Sequence, residues 1–158
     1  AITLSPYMGR DSIAPFVGRA GKWAIVLGVT SNAGAEDVQF IRTENGRPLY
    51  ETVMRNTAQW CSPNDVMFVV GATRPEILAQ VRALLPDHFF LVPGVGAQGG
   101  DLEAVLNAGL TADGGLLINS SRGVLYAGAG EHAVPAARAA AQALQRSMQR
   151  SMEEKGMF

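Results

Sequence analysis

Two polar loops in the second half of the chain carry residue types that bind anions. The first is Pro93–Gly99, with the sequence PGVGAQG, and the second is Asn119–Gly123, with the sequence NSSRG. Each follows a short apolar run that is typical of a buried strand. Arg122 offers a guanidinium that can bind a phosphate through two parallel hydrogen bonds, and Ser120 and Ser121 add hydroxyl donors. The two loops therefore predict a phosphate site where two neighbouring parallel strands end.

The glycines of the first loop also match a second kind of site. Gly94–Gly99 has the G-x-G-x-x-G spacing of a dinucleotide-binding fingerprint. That fingerprint requires an acidic residue at the end of the next strand to hold the ribose. Here Asp113 precedes the next strand, which ends at Asn119. The pattern favours a phosphate loop whose glycines expose backbone N–H groups beside Gln98, and a Rossmann-type nicotinamide-binding domain stays an alternative.

The other polar residues give little sign of acid–base or metal chemistry. Thr30–Asn32 (TSN) follows an apolar run, and it could either contact the edge of a polar heterocycle or form a helix-capping turn. His88 and His132 have no partners at the spacing of metal ligands, so no metal site is predicted. The single cysteine, Cys61, excludes an internal disulfide and indicates a structural thiol in a reducing, cytoplasmic compartment.

Strand-like and helix-like segments alternate along the whole chain. Near-continuous apolar runs suggest strands that are covered on both faces, as in a parallel sheet. This alternation predicts an α/β fold, and the average unit length matches βαβ spacing. We expect one domain over residues 1–158 with no internal boundary. The five runs predicted as strands are Ile2–Ser5, Trp23–Val29, Val66–Val70, Phe89–Val92 and Leu116–Ile118.

The stretches between these runs have the spacing of amphipathic helices. Pro75 suits the first turn of one helix, and Asp101 lies in the N-cap position of another. The last segment predicts a long helix over Glu131–Met152; packing on the wall of the fold is favoured over membrane binding. A further helix is predicted over Leu49–Trp60. In it, three apolar residues share one face: Leu49, Val53 and Trp60.

Length and charge limit the possible functions. A net charge of -1 provides no field for nucleic acid or an anionic membrane, and no apolar run has the length of a membrane span. The paired anion-binding loops are typical of the last two strands of a (β/α)8 barrel, which needs about 250 residues. The chain has 158 residues and opens with the strand-like Ala1–Leu4. We therefore expect the C-terminal part of a longer barrel, and any targeting segment would lie upstream.

Five segments resemble, in order, orotidine 5′-phosphate decarboxylases of the longer bacterial type. They are SPYMGRDSIAPF, VTSNAGAEDVQF, VVGATRPEIL, LVPGVGAQGGDLEAV and LLINSSRGVLYA, and they span Ile2 to about Ala127. The resemblance implies a (β/α)8 barrel that converts orotidine 5′-monophosphate to UMP without a metal or an organic cofactor. On this basis the chain supplies about strands four to eight, and the full-length protein is expected to be a homodimer.

The resemblance also implies roles for individual residues. Gln98 and Arg122 would contact the 5′-phosphate, together with backbone N–H groups near Ser121. Gln98 would also approach the pyrimidine from the loop that begins at Pro93, and Ser31 would hydrogen-bond the amide edge of the pyrimidine.

The family's alternating Lys/Asp network, in a motif like D-x-K-x-x-D, has no counterpart in this chain. We therefore expect no catalytic residue here, and we expect the chain alone to be inactive. A stand-alone phosphate-binding module of half-barrel type stays open as an alternative.

Overall fold

Five apolar strands form one parallel sheet in the computed structural model, which describes residues 1–96 and 99–157. The strands lie side by side in the order in which they occur along the chain. The five predicted strands are confirmed, because each observed end differs from the predicted one by at most one residue. They are β1 (Ile2–Leu4), β2 (Ala24–Val29), β3 (Val66–Val70), β4 (Phe90–Pro93) and β5 (Leu116–Asn119).

Helices follow the strands and cover one face of the sheet. Pro75 opens the third helix, and the carboxylate of Asp101 caps the fourth by accepting the N–H of Glu103 at 2.8 Å. Short 3-10 turns add to the connections, among them Ala33–Asp37 after β2. The helices are α1 (Arg10–Ile13), α2 (Leu49–Trp60), α3 (Pro75–Leu84), α4 (Leu102–Gly109), α5 (Ser121–Leu125) and α6 (Ala133–Glu154).

The register of the sheet separates two apolar faces. Val26, Phe68 and Phe90 lie opposite one another, and each is 0% exposed because the helices cover this face. The other face carries a second row of apolar residues in register: Leu27, Val69, Leu91 and Leu117. Leu117 on the edge strand β5 is 48% exposed. Two apolar faces on a parallel sheet in sequential strand order match a section of a (β/α)8 barrel.

A half-buried arginine connects the amino-terminal ends of β4 and β5. Arg82, on α3, lies with its guanidinium 3.9 Å from the centre of the Phe90 ring. Burial lowers the pKa of Arg82 to about 10, with Asp87 acting weakly in the opposite direction, so the side chain stays charged at neutral pH. Its N–H groups donate to the backbone carbonyls of five residues in three segments of the chain: Leu85, Pro86, His88, Gly109 and Gly115.

Two helices differ from the sequence-based expectation. In α2 the buried face consists of Tyr50, Met54 and Thr57, so the face predicted from Leu49, Val53 and Trp60 is wrong. The reason is tertiary: Gly28 on β2 lacks a side chain, and the sulfur of Met54 fills that space. Helix α6 begins and ends two residues later than predicted. Leu144 packs α6 against the core, although no residue of this helix is fully buried.

Candidate functional site

The predicted phosphate loops come together at the carboxyl ends of β4 and β5. They enclose a small cavity of about 120 Å³. Ligand pockets for whole drug-sized molecules usually measure about 300–1,000 Å³, so this cavity suits a group as small as a phosphate. The lining residues are Pro93, Gly94, Val95, Asn119, Ser120, Ser121 and Arg122.

The glycines of the first loop serve mainly to shape it. Gly94, Gly96 and Gly99 all adopt positive φ angles, between 72° and 97°, which favour glycine. The N–H of Gly96 donates to the carbonyl of Gly100, and the N–H of Gly99 donates to Gly96, at 2.9 and 2.8 Å. The expectation that the loop's glycines expose their N–H groups is therefore wrong for these two. Pro93, Gly94 and Val95 are the described residues of this loop that line the cavity.

The second loop presents a cationic side chain to solvent. Arg122 is exposed, and within the described parts of the chain no carboxylate lies at salt-bridge distance from it. Ser121 begins α5, and its hydroxyl donates to the side-chain oxygen of Asn119 at 3.0 Å. The guanidinium therefore keeps its donors available at the mouth of the cavity, next to two hydroxyl side chains.

Ser31 lies at the same edge of the sheet, after β2, and does not line the cavity. Its hydroxyl is buried and has no hydrogen-bond partner among the described residues. The preceding Thr30 is held by Gln39, whose amide oxygen accepts the Thr30 N–H at 2.9 Å. Asn32 occupies the N-cap position of the following 3-10 turn, as the capping alternative expected, but its side chain makes no capping hydrogen bond.

The predicted binding residues therefore fall into three groups. Pro93, Ser121 and Arg122 lie around one cavity, and Ser31 lies two strands away at the same carboxyl edge. Gln98 lies outside the described residues. Sequence reasoning missed Gln39, because its contact with Thr30, nine positions away, leaves no periodic signal.

Residues set aside in the sequence also have clear places. His88 is buried against Phe68, and burial lowers the pKa of His88. Burial raises the pKa of the Cys61 thiol, which disfavours the reactive thiolate. Across residues 1–96 and 99–157, no group of three His, Cys, Asp or Glu side chains could hold a metal ion. The two lysines, Lys22 before β2 and Lys155 after α6, belong to neither phosphate loop.

A larger groove lies elsewhere on the molecule. It measures about 490 Å³ and is lined by residues of α2 and α3, among them Glu51, Arg55 and Gln80. This groove lies on the outer helical layer, whereas ligands of parallel α/β barrels bind at the carboxyl ends of the strands. The smaller cavity is therefore the better candidate, because its position and its donors agree.

Fold and site together define a class of protein. Sequential parallel strands exclude the strand order of a dinucleotide-binding Rossmann fold, which reverses direction at a switch point. Anion-binding loops after two adjacent strands are the phosphate site of a (β/α)8 barrel. The chain is thus a section of a (β/α)8 barrel, with its candidate phosphate site between the ends of β4 and β5.

The family model "Orotidine 5'-phosphate decarboxylase / HUMPS family" matches residues 1–138. The chain belongs to this family. It is 53% identical over 142 residues to an orotidine 5′-phosphate decarboxylase of Azoarcus sp. (strain BH72), which covers 89% of this chain and 52% of that protein. It is 45% identical over 140 residues to one from Bacteroides fragilis, covering 89% of this chain and 51% of that protein.

Solved structures agree with the sequence relatives. A structure of Leishmania donovani OMP decarboxylase matches with a TM-score of 0.76 and 43% identity, over 92% of this chain and 56% of that one. The chain therefore spans about half the length of the relatives it matches. Within the described residues, no helix has both the length and the apolar character needed to cross a membrane.

Proposed function

We propose that this chain supplies the phosphate- and base-binding loops of an orotidine 5′-phosphate decarboxylase. That enzyme converts orotidine 5′-monophosphate to UMP and CO2 in pyrimidine biosynthesis. The observation that supports the proposal is the small cavity between the ends of β4 and β5, with Arg122 at its mouth, in a member of this family.

In the proposed complex, the 5′-phosphate occupies that cavity. Arg122 donates charge-assisted hydrogen bonds to the phosphate oxygens, and Ser121 and Gln98 add further donors. Pro93 begins the loop that closes over the ligand. The exposed position of Arg122 and the small volume of the cavity support a doubly charged phosphate as the group that is bound.

The pyrimidine is proposed to extend from the phosphate towards the end of β2. There the hydroxyl of Ser31 would hydrogen-bond the amide edge of the base. Among the described residues this buried hydroxyl has no hydrogen-bond partner, and burial of an unpaired hydroxyl costs free energy. A ligand amide would satisfy it once the side chain rotates towards the ligand.

The phosphate contacts act on a reaction that takes place elsewhere on the substrate. Binding energy from this remote group organises and closes the site, and so lowers the barrier at C6. At C6 the carboxylate leaves as CO2, the electron pair stays on carbon, and a proton must be delivered to it. The proton donor is proposed to belong to the Lys/Asp network on strands outside these five. No metal or organic cofactor takes part in the proposed reaction.

We also propose a domain organisation, an oligomeric state and a cellular compartment. Residues 1–158 form a single domain, which the one hydrophobic core cluster supports. The complete enzyme is a homodimer, and the exposed Tyr7 (85%) and Met8 (74%) after β1 support a protein contact at this edge. The complete enzyme acts in the cytoplasm, which the single free cysteine, Cys61, supports.

A chimera tests the proposed function. The amino-terminal part of the Azoarcus relative, ahead of the matched segment, is joined to this chain, and loss of orotidine 5′-monophosphate absorbance is followed. We expect turnover by the chimera and none by the chain alone. A folded but inactive chimera that still binds phosphate would favour a stand-alone phosphate-binding module. Turnover by the chain alone would contradict the proposed division between binding and chemistry.

A further inference from the structure

The dipeptide Gly71-Ala72 connects the two halves of the proposed site. It directly follows β3, the strand between β2 and β4. The N–H of Gly71 donates to the carbonyl of Val29 at the end of β2, at 2.9 Å. The N–H of Ala72 donates to the carbonyl of Pro93 at the end of β4, at 3.0 Å. Two consecutive N–H groups thus hold both neighbouring segments.

Gly71 is also in close steric contact with Ser31. A methyl group on Gly71 would clash with the Ser31 hydroxyl and would lie 2.8 Å from the Ser31 backbone nitrogen. Because the second contact is to backbone, rotation of the Ser31 side chain could not relieve it. Any side chain at this position would therefore displace Ser31 itself.

Ala72 has the equivalent relation to the phosphate loop. Its side chain is 1% exposed, and it packs against Gly100 at the end of that loop. Gly100 in turn donates its N–H to the carbonyl of Gly94, which lines the cavity. The methyl group of Ala72 thus packs against the end of the phosphate loop at Gly100.

The Ser31 segment has a second support on its other side. Gln39 binds Thr30 twice, because its amide oxygen accepts the Thr30 N–H at 2.9 Å and its amide nitrogen donates to the Thr30 hydroxyl at 2.8 Å. Ser31 is therefore held between this clamp and Gly71. The position of Ser31 therefore depends on Gly71 at the end of β3 as well as on its own loop.

We propose that Gly71 and Ala72 are positioning residues that set the spacing between Ser31, which contacts the base, and the loop Pro93–Gly100, which contacts the phosphate. The assignment rests on the proposed function. A nucleotide reaches both groups only if they are held at a fixed separation, and small displacements of positioning groups are costly. The dipeptide sets this separation without touching the ligand.

Two substitutions separate the two roles in the unmodified chain. Binding of UMP and of ribose 5-phosphate is measured by calorimetry for each variant. We expect Gly71→Ala to weaken UMP binding about tenfold, the scale of one lost hydrogen bond, and to leave ribose 5-phosphate binding unchanged. We expect Ala72→Gly to weaken both ligands severalfold, because it loosens the phosphate loop. Ala72→Gly adds no atom, so it keeps the proposal testable if Gly71→Ala does not fold.

Controls identify which idea fails. Gly34→Ala adds a methyl group to the loop that carries Ser31, at 3.4 Å from the Asn32 side chain, which is an ordinary contact distance. This control is expected to leave the binding of both ligands unchanged. In a Ser31→Ala background, Gly71→Ala is expected to cost little further UMP affinity, since both act on one contact. If Ser31→Ala weakens UMP while folded Gly71→Ala does not, or if Ala72→Gly changes neither ligand, the positioning role is wrong. If the unmodified chain binds neither ligand, or Ser31→Ala has no effect, the proposed function itself fails.

Discussion

Arg82 and Arg122 lie at opposite ends of the same sheet, and they differ in exposure and in hydrogen-bond partners. Arg82, at the amino-terminal ends of the strands, is half-buried and donates to five backbone carbonyls. Arg122, at the carboxyl ends, is exposed and has no carboxylate partner among the described residues. The Arg82 guanidinium is thus engaged by the backbone, whereas the Arg122 guanidinium leaves its donors available to a ligand.

The difference separates stability from binding. In (β/α)8 barrels the amino-terminal pole stabilises the fold, whereas the loops at the carboxyl ends carry the site. Both ends also hold a buried polar group without a hydrogen-bond partner among the described residues: His88 at the amino-terminal pole and the hydroxyl of Ser31 at the carboxyl edge. The contrast between the two ends therefore lies in the two arginines and not in the buried groups that lack a partner.

Arg82→Met is expected to have the largest effect on stability. The change removes a half-buried charged donor from several carbonyls, and we expect a loss of about 2–4 kcal/mol in the free energy of unfolding. Urea denaturation of the chain measures it. The matched change Arg122→Met should alter stability by less than about 0.5 kcal/mol. Similar losses for both variants would remove the distinction between the two ends of the sheet.

Arg122→Ala in the active chimera is expected to reverse that ranking. Loss of a charge-assisted contact to phosphate should cost about 2–4 kcal/mol in kcat/KM for orotidine 5′-monophosphate. The substrate without its phosphate, orotidine, should be turned over at an unchanged rate by the variant. Arg146→Ala, at an exposed arginine on α6, is the control. Equal losses for nucleotide and nucleoside would make Arg122 a structural residue.

Asp101→Ala probes the capping of α4, which follows the phosphate loop. Its carboxylate accepts the N–H groups of Glu103 and Ala104, so we expect a loss of about 1 kcal/mol in unfolding free energy. Thermal melts measure it, with the exposed Asp113→Ala as control. No difference between the two variants would mean that the cap contributes little to holding the loop.

The pH dependence of stability probes the amino-terminal pole through His88. Burial lowers the pKa of His88 in the folded chain, so the unfolded chain, with a pKa of about 6.5, binds the proton more readily. This contribution to stability is present above about pH 6.5 and is lost as the pH falls. His88→Phe should therefore flatten the decline in the urea midpoint between about pH 7 and about pH 5. The exposed His132→Gln should keep the wild-type slope, and a wild-type slope for His88→Phe would contradict the interpretation.

The sequence predicted local features well and long-range contacts poorly. Uninterrupted apolar runs located all five strands, and Asp101 was identified as a cap because capping depends on adjacent residues. The buried face of α2 was missed because the space that Met54 fills is created by Gly28 on another element.

The same reason explains what was missed at both ends of the sheet. Arg82 donates to backbone carbonyls up to 33 residues away along the chain. A side chain at Gly71 is excluded because Ser31, on a separate loop, lies against it. Residue type and spacing singled out Ser121 and Arg122, which the structure places around one cavity, because polar residues directly after a strand form a local pattern. Contacts between separate loops have no such signature in a single sequence.

The most direct test of the central claim is a map of backbone amide shifts on addition of UMP to the 15N-labelled chain. If UMP binds at the carboxyl edge, the largest shifts fall on the amides of Gly94, Val95 and Ser120–Arg122. These shifts are expected to be absent when uridine replaces UMP, and absent when UMP is added to the Arg122→Ala variant. Largest shifts in the groove between α2 and α3, around Arg55 and Gln80, would contradict the assignment of the phosphate site.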